Sequence, residues 1–292
     1  MTRFAAATPD GLPPLGEVIR SLELAARKSL GQNFILDLNL TRRIARAAGS
    51  LDGRSVVEVG PGPGGLTRAL LLEGASRVVA IERDERCGPA LVAIAQRYPG
   101  RLSLQFEDAL NTDWPKLAAA LAPERPLIVA NLPYNVATRL LIGWLESEPW
   151  PPWYRGMVLM FQKEVAQRIT ATVGTKAYGR LAVIAQWRCR VRLLFTLKPE
   201  AFTPPPTVAS ALVAFEPLER PQPACNVASL GRVTAAAFGQ RRKMLRQSLK
   251  PLLADTEALL SAAGIKPTLR GEALSVSEFA RLAYVLERWP GR

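Results

Sequence analysis

The sequence predicts an α/β fold, with a largely parallel sheet covered by helices and then a small all-helical C-terminal domain. Three observations carry this expectation. From Ser55 onward, short apolar runs alternate with helix-length segments. The first run, Val56-Val57-Glu58-Val59, feeds a glycine-rich loop that opens a helix. After the proline-rich stretch 216–223, only helical patterns remain. Alternation of strand and helix implies βαβ units, because parallel neighbours need a crossover long enough to hold a helix.

In chain order, an apolar helical pattern (Leu15, Val18, Ile19, Leu22) falls in the first segment, through about Ala26. The Gly-containing stretch 28–34 follows, then a helix over 37–48 with Leu40, Ile44 and Ala47 on one side. Strands are expected at 56–59, 78–81, 102–106, 127–130, 157–161, 191–195 and 209–215, the last behind the turn Pro204-Pro205-Pro206. Helices at 66–73, 84–98 and 136–146 separate most of the early ones. Residues 216–223 read as a linker, and helices are expected at 227–238, 242–253, 257–263 and 277–286. The expected domains are therefore 1–217 and 218–292.

Composition narrows the function classes. No window approaches the ~18 apolar residues of a membrane span, and the N-terminus lacks a basic region followed by an apolar run. A cytoplasmic protein with no membrane association follows, and nothing points to more than a monomer. Cys87, Cys189 and Cys225 are scattered, as reduced thiols are, with no disulfide framework or zinc cluster. Histidine is absent, which removes Ser-His-Asp and Cys-His catalysis and imidazole metal sites, so no metal is expected. A net charge of +13 favours a polyanionic partner, since each cation that neutralises a phosphate releases a condensed counterion.

On a parallel sheet, ligands bind at the carboxyl ends of strands. There the loop Gly60-Pro61-Gly62-Pro63-Gly64-Gly65 satisfies the dinucleotide pattern at Gly60, Gly62 and Gly65. Its prolines change the reading. Phosphates at such loops are held by backbone N–H groups, and proline has none. A ligand without phosphates fits better, and S-adenosylmethionine is one. Glu58 can face its positive end. Glu82, ending the next strand, can accept from both ribose hydroxyls, and Asp108, ending the third, from the adenine amino group.

The fourth strand ends in Asn131-Leu132-Pro133-Tyr134. An adenine amino nitrogen is a poor nucleophile because its lone pair is delocalised into the ring. Two acceptors on its hydrogens favour pyramidal nitrogen and stabilise the charge that develops on it. The Asn131 side-chain oxygen and the Leu132 carbonyl can be these acceptors. Pro133 restricts Leu132 to extended geometry, and Tyr134 offers a ring face to an extruded base. No imidazole is required, because the product nitrogen can lose its proton to solvent. Phe202 is read as the opposite wall of the base slot or, equally, as a core residue.

Arg241, Arg242, Lys243, Arg246 and Lys250 fall within ten residues with no acid among them. On one continuous helix, Arg242, Arg246 and Lys250 would line one side and Leu245, Leu249 and Leu252 another, a stripe suited to RNA phosphates.

These residues resemble the ribosomal RNA adenine dimethyltransferases, most closely the kasugamycin-sensitivity type. The likeness also runs through Lys28-Ser29-Leu30-Gly31-Gln32-Asn33-Phe34, Glu107-Asp108-Ala109, Gln162-Lys163-Glu164-Val165-Ala166, Ala177-Tyr178-Gly179-Arg180-Leu181, Phe202-Thr203-Pro204-Pro205-Pro206-Thr207-Val208 and Phe238-Gly239-Gln240-Arg241-Arg242-Lys243. The resemblance implies a class I (Rossmann-like) S-adenosylmethionine-dependent methyltransferase sheet. It implies dimethylation of two adjacent adenines in a hairpin loop near the 3′ end of small-subunit (16S) rRNA during subunit assembly, with S-adenosylhomocysteine as product. It places Asn33, Ile35, Gly60, Glu82, Asp108 and Asn131 at the cofactor, and only the resemblance assigns the first two. Two departures stand out: Ile35 where the family often has leucine, and Ala209 where it often has aspartate. Rival readings are the macrolide-resistance type acting on large-subunit RNA, a DNA adenine methyltransferase, and a non-catalytic relative that binds RNA or transcription machinery.

Overall fold

The computed structural model describes residues 8–27 and 30–290. Lys28 and Ser29 of the stretch above, and the N-terminal residues 1–7, lie outside these. Helices α1 (Leu15–Ser21) and α2 (Leu38–Arg46) precede the sheet. The Asp37 carboxylate starts α2 by accepting the Asn39 N–H, one of the donors a first turn leaves unpaired.

Strands β1 (Ser55–Val59), β2 (Arg77–Glu82), β3 (Leu102–Phe106), β4 (Leu127–Ala130), β5 (Gly156–Gln162), β6 (Cys189–Leu197) and β7 (Ser210–Pro217) form one sheet in the order β3-β2-β1-β4-β5-β7-β6. β1 runs parallel to β2 and β4, β2 to β3, and β4 to β5. Helices α3 (Gly65–Leu72), α4 (Gly88–Arg97), α5 (Trp114–Leu121) and α6 (Tyr134–Leu145) make the crossovers. Every residue of β1 and β4 is buried, as befits continuous Val/Ile runs covered on both faces. The register sets Val59 beside Ile81 and Glu82 beside Phe106, so these strands end along one edge. From β1 the chain winds outward to β3, then returns to β4 on the other side of β1. That reversal makes β1/β4 the switch point where such sheets open a crevice.

The chain folds as two compact units. One comprises Met1–Leu141, Trp153–Lys163 and Leu193–Ala214, the other Ile142–Pro152, Glu164–Arg192 and Phe215–Arg292. In the first, Ile44, Val56, Leu70, Val78, Leu91 and Val129 are sealed from water, each worth about 1.5–3 kcal/mol in burial. Arg68, inside α3 and only 3% exposed, donates to the Asp10 carboxylate at 2.6 Å and to the Pro13 carbonyl at 2.7 Å. The N-terminal residues described are thereby fastened to the sheet's first crossover.

The second unit contains α8 (Arg180–Arg188), α9 (Val227–Gly239), α10 (Leu245–Ser248), α11 (Thr256–Ala262) and α12 (Val276–Glu287), with most of α7 (Lys163–Ile169). Tyr178, Trp187, Leu230, Leu245 and Phe279 lie at its centre. Arg188 lies between the Trp150 and Trp187 rings, 4.3 and 4.5 Å from their centres, and pairs with Glu148 at 2.6 Å. The stretch expected to be a linker is tied down: Glu216 and Pro217 finish β7, and the indoles of Trp150 and Trp187 donate to the carbonyls of Leu218 and Pro223.

The helix expected over 242–253 is corrected. Only Leu245–Ser248 is helical. The N–H of Leu245 donates to the Leu269 carbonyl at 2.7 Å and that of Arg246 to Pro267 at 3.2 Å, so the helix cannot extend upstream through them. Pro251 blocks extension downstream, since it disfavours helical geometry at the residue before it. Leu245 and Leu249 still face the core.

Candidate active site

A cavity opens at the carboxyl edge of the sheet. It is lined by Glu58, Gly60, Gly62, Glu82, Asp108, Asn131, Leu132, Pro133 and Tyr134, and by Asn33 and Ile35 from the segment before α2. Apart from Phe202, the residues singled out for catalysis and cofactor binding therefore converge on one space.

The loop after β1 is held by its own hydrogen bonds. The N–H of Gly60 donates to Ile81 O (2.9 Å), that of Gly62 to Glu82 Oε2 (2.8 Å), and that of Gly64 to Pro61 O (3.0 Å). Pro61 and Pro63 have none to give. A phosphate would meet no free donor at these five positions, which fits a ligand without one. Gly60 and Gly62 have φ of +71° and +56°, a left-handed geometry that side chains resist. A Cβ would also come within 3.2 Å of Pro133 at Gly60 and 3.0 Å of the Phe34 ring at Gly62.

The acids differ in environment. Glu58 accepts the Thr67 hydroxyl at 2.6 Å. Its burial pushes its pKa up to about 8, with Thr67 opposing and Glu82 adding to the rise. Burial also raises Glu82, against the N–H groups of Asp84 (2.7 Å) and Gly62 that its oxygens accept. Asp84 sits near 2 because Arg86 bonds both its oxygens, with Gln32 assisting at 2.8 Å. Asp108 accepts the Leu110 N–H at 3.0 Å and faces Arg83 at 3.1 Å.

At the end of β4, the Asn131 Nδ2 group donates to the Asn33 main-chain oxygen at 3.1 Å. A carbonyl can only accept, so this contact fixes which end of the carboxamide is nitrogen and turns Oδ1 to the other side. Leu132 is buried, and the Pro133 carbonyl accepts from Val136 and Ala137 to start α6. Tyr134 is the first residue of that helix, and its phenol hydrogen-bonds the Ser210 hydroxyl.

Phe202 does not reach the cavity. It is 2% exposed and packs into the first unit's core, where an apolar ring gains most. Its neighbour Thr203 exchanges both backbone hydrogen bonds with Phe34, which does line the space. No role for Gln32, Thr67, Arg83 or Ser210 was legible in the sequence. Each acts through a contact distant along the chain or through a common residue type without a motif of its own.

In the second unit, Arg242, Lys243 and Lys250 are exposed with no ion-pair partner among the described residues. Arg241 and Arg246 face Glu272 (3.3 Å) and Glu257 (3.5 Å), acids supplied from outside the basic run. Burial pushes the Cys87 and Cys225 thiols up to about 12 and Cys189 upward too, away from reactive thiolate. Among the described residues, no helix is long and apolar enough to cross a membrane.

A sheet parallel from β1 to β5, a crevice at its β1/β4 switch whose loop offers a phosphate no free donor from Gly60 to Gly64, and acids on successive strand ends make the architecture of a class I S-adenosylmethionine-dependent methyltransferase. The family model described as "Ribosomal RNA adenine dimethylase" matches residues 23–288, and the chain belongs to that family. It is 63% identical over 274 residues to "Ribosomal RNA small subunit methyltransferase A" of Rhodopseudomonas palustris (strain BisB5), covering 94% of each chain. It is 60% identical, with the same coverage, to the protein of that name from Bradyrhizobium sp. (strain ORS 278). The crystal structure of a dimethyladenosine transferase from Plasmodium falciparum shares its fold, with TM-score 0.69 and 24% identity over 84% of this chain and 94% of that one.

Proposed function

We propose that this chain dimethylates the N6 amino groups of two adjacent adenines in a hairpin loop near the 3′ end of 16S rRNA. It acts as a cytoplasmic monomer on the assembling small ribosomal subunit and releases S-adenosylhomocysteine. The extent of identity to the small-subunit relatives favours this over the large-subunit, DNA and non-catalytic readings.

The observation that carries the reaction is the orientation of Asn131, whose nitrogen is occupied by Asn33 so that its oxygen is left to accept. S-adenosylmethionine supplies an electrophilic methyl on a sulfonium. Glu82 suits the ribose hydroxyls and Asp108 the adenine amino group; Glu58 holds a proton in the chain alone, and a positive charge bound beside it would favour its ionised form. Asn33, Ile35, Gly60 and Gly62 shape the walls. The target base enters beside Tyr134 and stacks on its ring. Asn131 Oδ1 and the Leu132 carbonyl accept the two N6 hydrogens, Pro133 aims that carbonyl, and the nitrogen lone pair turns to the methyl carbon. With the cofactor bound, its methyl would pass from sulfur to N6, and the charge left on N6 would be lost as a proton to water. The unpaired cations Arg242, Lys243 and Lys250, with Arg241 and Arg246, bind RNA phosphates.

The test incubates the protein with labelled S-adenosylmethionine and small subunits lacking the modification, then maps modified bases. Label on two neighbouring adenines of 16S rRNA is expected. Label confined to large-subunit RNA or DNA would overturn the assignment.

A further inference from the structure

Strand β7 opens with a residue that does not suit its neighbours. Ala211, Leu212 and Val213 are wholly buried and apolar, yet Ser210, equally buried, carries a hydroxyl. β7 is an interior strand, between β5 and β6. The main chain beside Ser210 is fixed as well, because Ala209 accepts the Lys163 N–H at 2.8 Å. A hydroxyl in so dry a place is costly unless it has a partner. Its partner is the Tyr134 phenol, which reaches it from the first turn of α6.

Tyr134 is half-buried and lines the cavity. A tyrosine at the start of a helix has several staggered settings open to it, with a broad second torsion. A tether at the far end of the ring fixes both torsions together. We propose that Ser210 is a positioning residue for the base slot: its hydroxyl holds the Tyr134 phenol and so sets the ring face against which the target base stacks. Burial also pushes the phenol pKa upward, which keeps the group a neutral hydroxyl able to share this bond. The role falls to Ser210, since the residues that follow it, Ala211, Leu212 and Val213, have no side-chain polar atom to offer.

The inference rests on the reading of Tyr134 as the stacking platform, so the experiment separates the two. Four variants are compared: Ser210→Ala, Tyr134→Phe, the double variant, and Tyr134→Ala. Each is assayed for kcat/KM with small-subunit RNA and for S-adenosylhomocysteine affinity by calorimetry, with thermal melting as a check of folding. Ser210→Ala and Tyr134→Phe each break the same bond while leaving a ring. Each is expected to lower kcat/KM about tenfold, the scale of one lost hydrogen bond. The double variant should lose no more than either single one, and cofactor-product affinity should stay within about twofold throughout. Tyr134→Phe lacks only one oxygen, so it keeps the test alive if Ser210→Ala fails to fold.

Full activity in Tyr134→Phe with an inactive Tyr134→Ala would overturn the tether and leave the platform standing. Losses that multiply in the double variant, or a Ser210→Ala that binds the cofactor product poorly, would also overturn it. Near-normal turnover in Tyr134→Ala would instead remove the platform itself.

Discussion

Asn131 and Asn33 stand 98 positions apart in sequence, yet the side-chain nitrogen of one lies 3.1 Å from the main-chain oxygen of the other. The contact settles the orientation of the carboxamide, because only its nitrogen can face a carbonyl. Asn131→Ala should lower kcat about 100- to 1,000-fold, as loss of one preorganised group at a developing charge does, with S-adenosylhomocysteine affinity little altered. Asn131→Asp should also be impaired, since a carboxylate facing the Asn33 oxygen repels it. Single-turnover kinetics beside calorimetric binding would decide, and brisk methyl transfer by the alanine variant would eliminate the acceptor role.

Glu58 predicts a pH dependence of stability. Burial raises its pKa from 4.5 to about 8 in the folded chain, so between those values the folded state holds a proton that the unfolded state has released. Its contribution is therefore present in full below pH 4.5 and is lost as pH rises through 8, on the order of a few kcal/mol. Glu82 has a shift of the same sign, so the useful quantity is the difference from Glu58→Gln. Urea denaturation from pH 5 to 8 should show stability falling more steeply in the parent than in the variant. Parallel curves would mean that Glu58 is ionised in the folded chain.

Legibility in the sequence followed distance along the chain. The loop at 60–65, Glu82, Asp108 and Asn131 could be found because each directly follows or ends an apolar run, and a parallel sheet brings such ends to one edge. Asn33 and Ile35 could not, because they reach the cavity through the pairing of Phe34 with Thr203; only family resemblance marked them. The basic run misled for a related reason. Its leucine spacing is helical, but Leu245 and Arg246 give their N–H groups to Leu269 and Pro267, and no local pattern announces those partners. The same blindness hid Glu257 and Glu272, which meet two of the five cations.

Phe202 separates core from catalysis. With its ring sealed among the apolar residues of the first unit, Phe202→Ala should cost about 3–5 kcal/mol of stability. Turnover per folded molecule should change little below the melting transition. The comparison sets the chemical-denaturation midpoint against the rate normalised to folded protein. A sharp drop in rate with the midpoint unmoved would place the ring at the base after all.

The cations of the second unit should not count equally. RNA binding weakens with salt by about 0.9 log unit per log unit of salt for each duplex phosphate contact, and less for single strands. Arg242, Lys243 and Lys250 are exposed and unpaired among the described residues, so neutralising each should flatten the slope by nearly that amount if each meets a phosphate. Arg246 must first leave Glu257 and Arg241 must leave Glu272, so Arg246→Gln and Arg241→Gln should cost less affinity. Conversely, Glu257→Gln frees Arg246 and should tighten binding at low salt. Filter binding to small-subunit RNA from about 50 to 200 mM salt reads both effects. Identical slopes across all these variants would move the RNA surface off this segment.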